Sequence, residues 1–256
     1  MMRTGLCFIV LTIFSLTSGC GICLTKPTWE QKELPPAETR DMLSVLEARN
    51  HTLETFKGIG KIKFWDEGKS TTARVAWLGT ASGELRIEVL NVAGRPVASI
   101  ANDGKWLYLR SHMKRRFYRK QPAGHSLKEI IPIAVKSDDL ISFLSGRVPI
   151  TEYHSVSAVK NKTGYLLMLL TRWGTTRENI YLNEDKTDVS KIEFFNLTGS
   201  LIYRAEFGKT QETEGYNIPF YLELSDGKGN RIQLHVNRVW ANIPVSRSNF
   251  VLSPIN

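Results

Sequence analysis

With 256 residues, 42% of them hydrophobic and only 10 prolines, the chain holds enough apolar material for one sizeable β-rich domain or two small ones, which argues against disorder throughout. A formal charge of +9 and a pI near 9.5 point to anionic surroundings such as lipid headgroups, lipopolysaccharide or nucleic acid. No low-complexity tract and no internal repeat divides the sequence.

At the amino end, Arg3 supplies a positive charge and Leu6 to Leu16 an apolar run of about 11 residues, short of the roughly 20 that a spanning helix needs. It reads as a signal peptide over residues 1–19. The stretch ends in Leu16-Thr17-Ser18-Gly19-Cys20. This resembles the lipobox of bacterial lipoproteins, where small residues precede a cysteine that is acylated on sulfur and becomes the first residue after cleavage. Thr17 stands where leucine is usual, and Leu16 lies one place further out. The resemblance implies a lipid-anchored Cys20; the alternative is ordinary secretion with an incidental cysteine. Cys7 would leave with the signal, and Cys23 has no partner for an internal disulfide once Cys20 carries lipid. A single acyl chain, at about 0.8 kcal/mol per buried methylene, holds a protein marginally, whereas several anchor it stably. Residues 20–36, with Pro27, Pro35 and Pro36 among mostly polar neighbours, then form a tether that reaches about 50 Å at roughly 3.3 Å per extended residue. Gly21 and Ile22 follow the cysteine in place of the Asp that commonly blocks sorting, so the resemblance implies the periplasmic face of the outer membrane. A secreted, acylated chain argues against nucleic acid as the partner.

Residues 37–256 read as one domain. A helix is expected from Ala37 to about Glu54, with Met42, Leu43, Leu46 and Leu53 near one face. From Phe56 the period becomes two: Ile62 and Phe64, then Val75 and Trp77, then Leu85, Ile87 and Val89 alternate with polar residues, as half-buried antiparallel strands do. Turn residues such as Asn91-Val92-Ala93-Gly94 and Asn102-Asp103-Gly104 separate the runs and favour meander connections. A further strand pair is expected at Trp106–Arg110 and Arg116–Lys120.

Two short helices interrupt the pattern. Ser126-Leu127-Lys128-Glu129 has the form of a capping box, and Ser137 is placed to cap a second helix whose Leu140, Ile141, Phe143 and Leu144 form an apolar stripe. The pair Asp138-Asp139 fits the first turn of that helix, where carboxylates favour the dipole. Strands resume near Glu152, including alternations at Tyr203, Ala205 and Phe207, at Phe220, Leu222 and Leu224, and at Ile232, Leu234 and Val236.

Ten or more twisted strands with few helices must curl to bury one face. The fold class expected is therefore mainly β (α+β), a barrel or strongly bent antiparallel sheet with helices over its concave side. From Arg40 to Pro254 the order of elements resembles the LolA/LolB family of lipoprotein-binding proteins. The resemblance is carried by Gly58-Ile59-Gly60-Lys61-Ile62, by Leu85-Arg86-Ile87-Glu88-Val89-Leu90 running into Asn91-Val92-Ala93-Gly94, by Ser137 to Gly146 leading to Val148-Pro149, and by Ile243-Pro244-Val245-Ser246-Arg247-Ser248-Asn249-Phe250 before Pro254. It implies an incomplete antiparallel β-barrel with a helical lid over an apolar cavity.

The inward residues would be Ile62, Phe64, Val75, Trp77, Leu85, Ile87, Tyr203, Phe207, Phe220, Leu222 and Leu234. They suit either an ordinary core or a cavity for acyl chains, since burying a chain of about 15 methylenes is favourable by roughly 10 kcal/mol and needs no polar motif. In LolB-like receptors the loop after the third strand enters the membrane; the matching tip here offers only Val92 and Ala93. Lys114, Arg115, Arg116, Arg119 and Lys120, interleaved with Phe117 and Tyr118, form the densest basic run. They suit anionic lipid headgroups, an acidic partner protein, or simply a solvated hairpin.

No G-x-S-x-G, H-E-x-x-H or paired-cysteine motif is present, and the histidines at 51, 112, 125, 154 and 235 stand far apart. The chain is thus expected to be no enzyme and to use neither metal nor cofactor. The resemblance implies a monomeric, outer-membrane-anchored receptor or carrier that takes the acyl chains of lipoproteins, or phospholipid, from a soluble LolA-like periplasmic carrier. Two other readings remain: a structural or assembly lipoprotein using the same fold as a protein-binding scaffold, and a hydrolase whose site is assembled from distant residues.

Overall fold

A computed structural model describes residues 32–66, 69–121, 127 and 131–254. The signal peptide, Cys20, the tether up to Gln31, and Ser126, Lys128 and Glu129 of the expected capping box lie outside the described residues.

In chain order the elements are β1 (Lys32–Glu33), α1 (Pro36–Ala48), β2 (Thr55–Asp66), β3 (Lys69–Thr80), β4 (Leu85–Leu90), β5 (Pro96–Asn102), β6 (Leu107–Ser111), β7 (Arg116–Lys120), α2 (Ser137–Leu144), β8 (Ser155–Asn161), β9 (Gly164–Leu170), β10 (Thr176–Leu182), β11 (Val189–Phe195), β12 (Leu201–Thr213), β13 (Tyr216–Ser225) and β14 (Arg231–Ala241). Among the described residues the fourteen strands form one antiparallel sheet in the order β1-β8-β9-β10-β11-β12-β13-β14-β2-β3-β4-β5-β6-β7. Two meanders, β2–β7 and β8–β14, are joined where β14 pairs with β2, Leu234 opposite Ile62 and Ile232 opposite Phe64. The terminal strands β1 and β7 are not paired with each other, so the sheet curls but stays open, as an incomplete barrel. No helix among the described residues is long and apolar enough to cross a membrane.

Three boundaries differ from the sequence expectation. The first helix stops at Ala48 instead of near Glu54, because Asn50 takes a left-handed conformation with φ 51°. Its side-chain amide donates to the carbonyls of Ser145 and Asn217, each at 2.9 Å. Ser137 does not cap α2: it is the first helical residue, the cap position is Lys136, and no side-chain cap bond forms. The last part of the expected tether belongs to the sheet, since Lys32 and Glu33 pair with β8 and the Leu34 N–H donates to the Ala158 carbonyl at 2.9 Å. An otherwise unpaired strand edge gains partners for its backbone groups this way.

Helix α2 packs across the concave side against β13. Just after it, the Arg147 guanidinium donates to the carbonyls of Asn50 at 3.1 Å and Leu53 at 2.5 Å, tying the end of α2 to the link between α1 and β2. On the opposite face of the sheet, the segment after β14 crosses β4–β6: Arg86 donates to the Asn249 carbonyl at 2.9 Å, and Leu252 packs with Ala101 and Tyr108 in a second small core.

One glycine is fixed by a close approach. Gly58 lies opposite Trp77 across β2 and β3, and a Cβ there would overlap the indole ring. Gly58→Ala is expected to displace Trp77 and destabilise the domain by about 1–3 kcal/mol, read as a lower urea midpoint with an unchanged slope.

Candidate functional site

The interior of the curled sheet is filled on one side and hollow on the other. Towards β9–β12, Phe143 of α2 is wholly buried and meets Phe207 edge-on at 5.3 Å, while Phe194 and Tyr203 stack at 4.6 Å. Ile180, Ile192 and Leu167 fill the space around them. Towards β2–β6, β13 and β14 there is instead a cavity of about 290 Å³. Its wall is built from Ile62 and Phe64 on β2, Val75 and Trp77 on β3, Ile87 and Val89 on β4, Ala98 and Ile100 on β5, Leu109 on β6, Leu222 and Leu224 on β13, and Ile232 and Leu234 on β14. Ile131 and the α2 residues Leu140 and Leu144 cover it.

Seven of the eleven residues expected to face the cavity do so: Ile62, Phe64, Val75, Trp77, Ile87, Leu222 and Leu234. Leu85, Tyr203, Phe207 and Phe220 do not. They lie on the same face of the sheet but pack into the solid core, Tyr203 and Phe207 because Phe143 and the rest of α2 press against that region. The wall residues missed by alternation alone include Ala98 and Ile100. Register places them, since Ala98 sits opposite Val89, and Ile100 opposite both Ile87 and Leu109.

Every lining residue is apolar, and the indole nitrogen of Trp77 is their only side-chain heteroatom. That N–H is buried and has no hydrogen-bond partner among the described residues. Such a wall cannot orient a headgroup by hydrogen bonds, but it can hold hydrocarbon through exclusion of water. The volume is near the lower end of the roughly 300–1,000 Å³ of small-molecule sites, and about twice that of an engineered apolar cavity that stays dry and takes up benzene.

The cavity lies toward one rim of the sheet. Phe64, Val89, Ala98, Leu224 and Ile232 each stand near the end of their strand that leads into the β2–β3, β4–β5 or β13–β14 turn. The same rim carries Val92, 97% exposed, and Ala93 in the β4–β5 turn. It also carries Lys114 and Arg115 in the β6–β7 turn, next to the start of β5 through the His112 N–H bond to the Val97 carbonyl. Arg116, Arg119 and Lys120 follow on β7, the edge strand; Arg119 stacks on Trp106 at 4.7 Å.

Outside the cavity lining lies a buried acidic pair: Asp139, which the sequence placed in the first turn of this helix, and Glu178, which it did not flag. The Tyr203 hydroxyl donates to Asp139 at 2.6 Å, and Glu178 on β10 accepts from the Thr151 N–H at 2.9 Å. Burial pushes the Asp139 carboxyl up from its ordinary value and drives Glu178 up to about 8. One apparent relay is not arranged for acyl transfer. The Ser99 hydroxyl donates to Glu88 at 2.5 Å and meets the His112 ring nitrogen at 2.9 Å. Glu88 thus engages the hydroxyl instead of the imidazole, and Ser99 is wholly buried, unlike a serine nucleophile whose histidine is held by the acid. No group of three His, Cys, Asp or Glu side chains able to hold a metal occurs among the described residues. His235 is exposed beside the Tyr221 ring.

No family model matches the sequence, and no curated protein matches it. Among solved structures, the chain is similar to an outer membrane lipoprotein-sorting protein domain from Vibrio parahaemolyticus, at 13% identity and a TM-score of 0.61, over 84% of this chain and 97% of that one. It is similar to a DUF1329 family protein from Desulfovibrio piger at 9% identity and 0.59, over 85% and 97%. A LolA superfamily protein from Nitrosomonas europaea aligns at 12% identity and 0.54, over 84% and 97%. At these identities the likeness is one of fold: a mostly β, LolA-like incomplete barrel whose open antiparallel sheet curls around helix α2.

Proposed function

We propose that the chain is a lipid-anchored receptor or carrier that takes the acyl chains of lipoproteins, or of phospholipid, into the cavity and passes them to the outer membrane without covalent chemistry. The observation that carries this reading is the hollow beneath α2, whose wall contains no charged or hydrogen-bonding group except one indole N–H. The fold it shares with a lipoprotein-sorting domain and a LolA superfamily protein supports the same reading. Cys20 is the acylation site in this proposal, residues 1–19 the signal and the segment after Cys20 the tether.

The basic residues of the β6–β7 hairpin are assigned to contact with an acidic, soluble LolA-like carrier. Among the described residues β7 is the last strand of the sheet, so a protein partner can extend the sheet there through hydrogen bonds as well as charge. Val92 and Ala93, on the same rim, add a small apolar tip. The test is a transfer assay with the full chain carrying Cys20→Ser, an acylated lipoprotein on its carrier, and acceptor vesicles. Passage of the lipoprotein through the chain is expected; charge reversal at Arg116 and Arg119 is expected to slow loading from the carrier without altering binding of a free fatty acid. Loading that proceeds equally well with both charges reversed would remove the hairpin from the proposal.

The scaffold alternative is favoured by the solid packing around Phe143 and by the position of β7 as the last strand of the sheet among the described residues. It would be supported by a chain that binds a partner protein but no acyl chain.

A further inference from the structure

The reverse of the cavity wall has a composition the acyl-binding reading does not use. Where Ile62, Phe64 and Val75 point inward, Lys61, Lys63 and Arg74 alternate with them on the opposite face. Strands β3 and β14 contain no acidic residue, and β2 contains one, Asp66, at its final position. Lys61 stands directly opposite Arg74 on one side and His235 on the other, so three basic side chains share one row across adjacent strands. Like charges in that position cost stability, and no ion pair relieves Lys57, Lys61, Lys63, Arg74 or Arg238 among the described residues.

At both ends of this strip a tryptophan fixes two cations. Lys63 and Arg231 lie 4.5 and 4.6 Å from the Trp65 ring, and Lys57 and Arg238 lie 4.7 and 4.6 Å from the Trp240 ring. Ile59, 39% exposed, sits between them on β2. The charges are thus held in place on a surface of mixed cationic and aromatic character, which suits the headgroup layer of a bilayer. The backbone of β2 is laddered on both sides, to β14 and to β3, so it offers a protein partner no free edge to read. Charge and interfacial side chains are what this face presents.

We propose that the outward face of β2, β3 and β14 docks on an anionic lipid bilayer. Docking here leaves the concave side and the turns around the cavity uncovered for exchange with a carrier. The inference does not depend on what the cavity holds.

The experiment is sedimentation of the full chain carrying Cys20→Ser, so that no acyl group contributes, with vesicles of phosphatidylcholine alone or mixed with phosphatidylglycerol. Strong, salt-sensitive binding to the anionic vesicles only is expected. The variant Lys61→Gln/Lys63→Gln/Arg74→Gln is expected to partition on the order of 100-fold more weakly, at about 1 kcal/mol per charge. The variant Lys162→Gln/Lys209→Gln/Lys228→Gln, which removes equal charge from exposed positions elsewhere, should bind as the parent does. Should the first variant fail to fold by circular dichroism, Lys57→Gln/Arg238→Gln addresses the same face and should weaken partitioning by roughly tenfold or more. Equal loss in the control variant, no preference for anionic vesicles, or tighter binding to double-stranded DNA than to vesicles would each overturn the proposal. Fatty-acid binding measured on the same variants should stay at the parental level, so failure of docking and failure of the cavity reading are seen separately.

Discussion

Replacing Ala98 by Trp is expected to weaken acyl-chain binding by roughly 100-fold or more while the domain stays folded. Ala98 is a small, half-buried member of the cavity wall, opposite Val89 on β4. An indole at this position would project into the hollow of about 290 Å³ and occupy the room of several methylenes. At about 0.8 kcal/mol for each methylene left in water, affinity should drop roughly 100-fold or more. Displacement of a fluorescent fatty acid reads the affinity, and circular dichroism reads the fold. Binding that survives in a folded Ala98→Trp variant would place the hydrocarbon somewhere other than this cavity.

The second large effect concerns the buried carboxyl of Glu178. Unfolded, a glutamate ionises near 4.5; in the fold, burial keeps Glu178 protonated up to about 8. Between those values the native state therefore binds more protons than the unfolded chain, and stability falls as pH rises. The stabilising contribution is fully present below 4.5 and is lost as pH climbs through about 8. Asp139, also pushed up by burial, acts in the same direction. At about 1.4 kcal/mol for each pH unit between the two values, the loss across the window is on the order of a few kcal/mol. Glu178→Gln keeps an acceptor for the Thr151 N–H and removes the ionisation. The variant is expected to melt higher than the parent at pH 8 and to show a flatter dependence of melting temperature on pH. Parallel pH profiles for the two proteins would show that Glu178 is charged in the fold and that its burial is otherwise compensated.

Much of the sheet was legible because its strands have one wet and one dry face. Ile62 and Phe64, Leu222 and Leu224, and Ile232 and Leu234 alternate cleanly, and the β14–β2 pairing that joins the two meanders sets these dry faces against each other. Strand β5 was legible only by its bracketing turns, because Pro96-Val97-Ala98-Ser99-Ile100 does not alternate polar with apolar. Its outer face is covered by the segment after β14, which packs Leu252 on Ala101 and removes the usual need for polar residues there.

Whether an inward residue meets a void or a neighbour was not legible at all. Leu222 and Phe207 look alike in sequence, yet one lines the cavity and the other meets Phe143. The difference is set by where α2 lands, through contacts such as Arg147 to Leu53 and Asn50 to Ser145 that span about a hundred positions of sequence. Glu178 was missed for the same reason. In Thr176-Arg177-Glu178-Asn179 it looks like the solvated start of a strand, but α2 and the segment at Thr151 close over it.

Carriage of acyl chains requires the hollow under α2 to hold hydrocarbon. Mass spectrometry of lipids carried through purification by the full chain with Cys20→Ser measures this directly. One acyl-bearing lipid per chain, lost in the Ala98→Trp variant, is the predicted result. A chain that copurifies with no lipid and takes up no fatty acid when offered would contradict it.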